Sequence, residues 1–125
     1  LTIEHILEMA DQQRPNAFTP QQKTEWLNAL EGRIQTQVWL RNVREIQQYV
    51  WPEDAGSEPL TAPPYDDIYL LWLLAMIDQA NGEYDRYRNS MAIFNAFYGS
   101  YVRWFASVYE PAQGYGRYEW CADES

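Results

Sequence analysis

The alternation of apolar and polar positions along this chain is helical almost throughout. Ile3, Ile6, Leu7 and Ala10 recur at spacings of three and four, so residues 2–13 are predicted to form a helix with one apolar face. Thr2 suits its N-cap, and Glu4 lies in the first turn, where the helix dipole favours negative charge. Arg14-Pro15-Asn16 ends it, because the residue before a proline is pushed out of the α region. A second helix is predicted over residues 19–39. Thr19-Pro20-Gln21-Gln22 places a hydroxyl at the N-cap, proline at the first helical position and glutamine at the third, which is a capping box. Phe18 precedes it, ready to staple against the next turn. Trp26, Leu27, Leu30, Ile34 and Val38 carry the apolar stripe, and Gly32 inside it is read as a place of close helix packing.

The third helix is predicted to start near Pro63-Pro64, with Asp66 and Asp67 in its first turn. Ile68, Leu71, Trp72 and Ala75 form one stripe and Tyr69, Leu73, Met76 and Ala80 a second. A helix apolar on most of its circumference belongs at the centre. Asn81-Gly82 is a helix-ending pair, since glycine accepts the left-handed conformation found there. The fourth helix is predicted from about residue 83 to 109, with Pro111 as its stop. Tyr84, Tyr87, Met91, Phe94, Phe97, Tyr98, Tyr101, Trp104, Phe105 and Val108 lie on its wide apolar stripe. The short link implies an antiparallel helical hairpin. The expected fold is mainly all-α: a small bundle of three or four helices with a long C-terminal hairpin, in a single domain over residues 1–110. Trp72, Ala75, Phe94, Tyr98 and Phe105 are expected in the core. Residues 111–125, with Gly114, Gly116 and an acidic end, are expected to be a flexible tail.

Residues 40–62 break the pattern. Residues 41–51 either prolong the second helix or leave it as an extended arm, and Tyr49, Val50 and Trp51 are good strand formers. Leu60-Thr61-Ala62 would then return as the second strand of a short β-hairpin. Glu53, Asp54, Glu58, Asp66 and Asp67 cluster without a basic residue between them, as in a solvated loop. Long connections in compact domains are often functional. Trp39, Tyr49, Trp51 and Leu60 are therefore the candidate subunit-interface residues, on an arm reaching a neighbouring subunit or another partner. The competing expectation is that Trp51 folds back to cap the core.

Composition narrows the partners. The chain has 18 acidic and 9 basic residues, a net charge of −9, and Lys23 is its one lysine. Nucleic-acid binders gain affinity by neutralising phosphates with Lys and Arg, so direct nucleic-acid binding is not expected, nor is an anionic membrane surface. No apolar run approaches a membrane span, and no basic-then-apolar leader opens the sequence. Six Trp and ten Tyr exceed what a core of this size uses, which points to interface rings.

Catalytic patterns do not assemble. His5 is the one histidine and sits near the start of the first helix, without the partners that a base or ligand needs. Cys121 is the one cysteine, and Glu119 and Asp123 beside it would raise rather than lower a thiol pKa. Asp66-Asp67 and Glu53-Asp54 are adjacent pairs that do not share a helix face. No Gly-rich phosphate loop or zinc-type cysteine spacing occurs. No catalytic, cofactor-binding or metal-binding residues are assigned.

One resemblance bears on function. Three stretches carry it: Pro64-Tyr65-Asp66-Asp67-Ile68-Tyr69-Leu70; Ala75-Met76-Ile77-Asp78 with Asn81-Gly82-Glu83-Tyr84; and Asn89-Ser90-Met91 with Phe94-Asn95-Ala96. Together they resemble small proteins from prophage morphogenesis regions of Gram-positive bacteria. Ala10-Asp11-Gln12-Gln13-Arg14-Pro15-Asn16-Ala17-Phe18 resembles the same group. That group is similar to the helical head-tail connectors of long-tailed phages. The resemblance implies a non-enzymatic virion protein, made in the bacterial cytoplasm, that assembles with copies of itself into a ring between portal and tail. Its implied partners are portal, tail or adaptor proteins. The alternatives are a tail-completion or minor capsid protein, or a non-phage interaction module.

Overall fold

The computed structural model describes the backbone of residues 1–113 and side chains as far as residue 108. Its four α-helices are α1 (Ile3–Gln13), α2 (Pro20–Arg33), α3 (Asp67–Ala80) and α4 (Tyr84–Gln113). The chain is mainly helical, and no strand occurs among the described residues. The caps follow local chemistry. The Thr2 hydroxyl accepts from the His5 N–H at 3.2 Å. The Thr19–Gln22 capping box closes in both directions, at 3.1 and 3.0 Å. Phe18 packs edge-on against Trp26, two turns into α2, rather than on the adjacent turn. That adjacent position belongs to Lys23, which is buried and pairs with Asp11 of α1 at 2.6 Å.

α3 lies in the middle of the fold and packs on α1, α2 and, most extensively, α4. Ile68, Tyr69, Trp72, Leu73, Leu74, Ala75 and Ile77 are all buried, as expected of a helix apolar on most of its circumference. Its C-terminus is a Schellman turn. Gly82 takes φ +75°, the Glu83 N–H donates to the Asp78 carbonyl at 2.9 Å, and the Gly82 N–H donates to Gln79 at 3.1 Å. Phe94 of α4 is fully buried between Trp72 and Tyr98. Tyr98 and Phe105 are only half-buried, and Tyr84, Phe97, Trp104 and Val108 of the expected stripe are exposed, because α4 is covered on one side alone.

Several expectations are corrected. Gly32 marks no close approach, since a Cβ placed there would meet nothing within 4 Å. The second helix ends in a wider π-type turn over Ile34–Val38. α4 runs past Pro111, whose fixed φ is compatible with a helix and whose missing N–H removes a single bond near the end. Residues 40–62 contain a single 3₁₀ turn, Val43–Glu45, and no hairpin. The expected tail falls largely on residues 114–125, Cys121 included, which lie outside the described residues.

Candidate functional site

The long connection is held to the domain by one polar face of α2 and the turn after it. Asn28, Glu31 and Gln35 lie three and four residues apart, so they share that face. The Asn28 side-chain amide donates to the Tyr49 carbonyl at 2.9 Å and accepts from the Tyr49 N–H at 2.8 Å. Two turns on, the Gln35 amide does the same to Gln47, both bonds at 2.9 Å. Side-chain amides thus take the pairing role that a second strand would have taken. This is why Tyr49 and its neighbours stay extended without forming a hairpin.

Between them sits Glu31, fully buried. Its carboxylate accepts from the Tyr69 hydroxyl at 2.6 Å, from the Leu60 N–H at 3.1 Å and, in a short contact, from the Tyr49 hydroxyl. The Tyr69 oxygen in turn accepts from the Thr61 N–H at 3.0 Å. A buried carboxylate is tolerated only when its lone pairs are occupied, and here one residue draws α3 and the middle and returning end of the connection onto α2. Burial first, and the adjacent Glu31 second, push both phenols well above the ordinary tyrosine range. Both remain hydrogen-bond donors at neutral pH.

A second buried acid, Asp78, ties the helix ends together. It accepts from Arg14 Nε at 3.0 Å and from the Ser90 hydroxyl at 2.7 Å, joining α1, α3 and α4. The Ser90 hydroxyl thus bonds across the α3–α4 contact. Asn89 beside it is exposed.

The four candidate interface residues are all half-buried. Trp39 donates its indole N–H to the Tyr101 hydroxyl at 2.8 Å and stacks on Phe105. Tyr49 is held by Asn28 and Glu31, and Trp51 packs against the core. Leu60 lines a small cavity of about 120 Å³ with Trp39, Thr61 and Tyr101. The buried Thr61 hydroxyl at this cavity has no partner among the described residues. These side chains hold the connection down. The strongly exposed apolar residues of the segment are Leu40, Val43 and Val50.

The flank of α4 beside its buried face is the second exposed apolar surface. Ile93, Phe97 and Val108 are exposed and fall within about 60° of one another around the helix, at 100° per residue. His5 is exposed on α1. No three His, Cys, Asp or Glu side chains converge on a possible metal position among the described residues. No helix there is long and apolar enough to cross a membrane. No family model, curated protein or solved structure matches the chain.

Proposed function

We propose that this chain is a structural subunit of a phage particle, a head-tail connector that acts by contact rather than by chemistry. In this reading it is a small bundle built around the antiparallel α3–α4 hairpin, and copies of it meet portal, tail or adaptor proteins in a ring at the neck. The observation that carries the reading is the resemblance to prophage morphogenesis proteins, borne by residues 10–18 and by residues 64–96. Two features of the surface fit it. The acidic balance suits a wall that DNA passes without adhering. The exposed apolar residues of α4 and of the 40–50 segment are compatible with an assembly subunit.

The test is the particle itself. Virions induced from a lysogen carrying the gene should contain the chain in several copies, read by quantitative mass spectrometry. Deleting the gene should give filled heads that lack tails. Intact particles without the chain, or normal particles from the deletion strain, would end this reading. A tail-completion or minor capsid role would show instead as a tail or shell defect with heads and necks joined.

A further inference from the structure

The polar face of α2 that holds the connection continues toward the helix N-terminus. Gln21, Thr24, Glu25 and Asn28 are linked by steps of three and four, so they lie along it. The connection covers this face at Asn28, which binds the backbone of Tyr49. Ahead of Asn28 the face opens onto a groove of about 300 Å³, whose remaining wall is residues 48–51. That volume is at the lower end for small-molecule sites, so it suits one small group rather than a large ligand.

The groove gathers polar groups that the fold leaves unspent. The Asn28 amide and the Tyr49 hydroxyl are engaged, the latter by Glu31. The side chains of Gln21, Thr24, Glu25 and Gln48 have no hydrogen-bond or ion-pair partner among the described residues. Water reaches the three exposed ones, but Thr24 is 3% exposed, and a buried hydroxyl without a partner is costly. Charge narrows the ligand. Glu25 is the one carboxylate lining the groove, and no Lys or Arg lines it. Asp54 lies at its Val50 end, accepting from the Val50 N–H at 2.8 Å. The start of α2 does not offer an anion site in its place, because the Gln22 and Lys23 N–H groups already donate to Thr19.

We propose that this groove binds an alkylguanidinium group, with Glu25 pairing its charge and Trp51 packing against its plane. The match is chemical. A guanidinium is always charged, only donates, pairs with a carboxylate through two parallel bonds and stacks on aromatic rings. The groove supplies a free carboxylate, the Trp51 ring, and the amide oxygens of Gln21 and Gln48 as further acceptors. An ammonium shares the charge but not the planar fit. The head of an arginine side chain and a free guanidino compound both carry this chemistry. The site goes beyond the phage reading and does not depend on it.

The isotope-labelled full chain would be titrated with ethylguanidinium and, in parallel, with ethylurea, its uncharged counterpart, and followed by NMR. Ethylguanidinium should give saturable shifts centred on Thr24, Gln48 and the Trp51 indole, with a Kd of about a millimolar, and ethylurea should give none. Glu25→Gln should weaken binding about tenfold or more. Glu8→Gln removes another exposed carboxylate, on α1, and should leave binding unchanged. Both positions are exposed, so both variants should fold as the unaltered chain does. A short arginine peptide separates the sources. Affinity about tenfold above that of ethylguanidinium supports a partner's arginine, and equal or weaker affinity supports a free guanidino compound. Shifts that never saturate, that spread over the whole acidic surface, or that ethylurea matches would overturn the proposal. So would a Glu25→Gln chain that binds like the unaltered one, or a Glu8→Gln chain that loses as much as Glu25→Gln.

Discussion

The fully buried carboxylate of Glu31 accepts a 2.6 Å hydrogen bond from the hydroxyl of Tyr69, 38 residues later in the chain. The same carboxylate holds the Leu60 N–H and the Tyr49 hydroxyl, so a single acid on α2 fixes both α3 and the returning end of the connection. Replacing Tyr69 with Phe removes one donor from a buried charge and the acceptor of the Thr61 N–H. The expected loss is about 1–3 kcal/mol, read by urea denaturation. A change below about 0.5 kcal/mol would show that Glu31 is not held as described.

The alkaline limit follows from the same pair. Tyr49 and Tyr69 are pushed above the ordinary value of 10.0, first by burial and then by Glu31. Tyr98 is raised as well, chiefly by burial, with Arg33 opposing. A raised folded-state value means that the unfolded chain releases these protons first. The stability is therefore complete below about pH 10 and drains away as pH climbs toward the folded-state values. Melting temperature should fall steeply above that pH, and some tyrosines should ionise, by ultraviolet absorbance, only as the protein unfolds.

Arg14→Ala probes the other buried acid. It strips Asp78 of its closest cation and leaves Ser90 as donor, with Arg86 at 4.0 Å. The cost should approach the ~3–5 kcal/mol of a broken buried pair, reduced by those remaining partners. Calorimetric unfolding at neutral pH measures it.

Phe94→Ala should cost about 3–5 kcal/mol, since the ring is fully buried between Trp72 and Tyr98 and its removal leaves a cavity. Denaturation showing under 1 kcal/mol would dislodge Phe94 from the core.

Gly32→Ala should work in the opposite direction. The position is inside α2, and nothing lies within 4 Å of the added methyl group. A gain of up to about 1 kcal/mol in folding stability is expected from helix propensity alone.

The capping box at Thr19, the Thr2 cap and the Asn81-Gly82 turn each depend on bonds spanning a few residues, so their chemistry is written in adjacent positions. The connection was not legible in the same way. Asn28, Glu31 and Gln35 carried a usable signal: Glu31 and Gln35 occupy the apolar register between Leu27, Leu30 and Ile34, and polar residues there imply buried partners. Nothing in the sequence named those partners. Trp39, Tyr49, Trp51 and Leu60 stand out in the sequence by their aromatic or apolar character, which does not reveal that they lie half-buried against their own domain. The exposed Leu40 looked ordinary because its φ of +58° leaves no trace in residue identity.

The sequence by itself determined that the chain is helical, where three of its helix ends are capped, and that the third helix is central. Periodicity and caps are properties of residues three to five apart, and they persist whatever the rest of the chain does. Only the tertiary structure decided which polar side chains are buried, where residues 40–62 lie, and which face of α4 is left open. Those outcomes depend on pairs such as Glu31 with Tyr69 and Arg14 with Asp78, separated by 38 and 64 residues. Such pairs form only once the helices pack, because a buried charge is stable only when its distant partners arrive together.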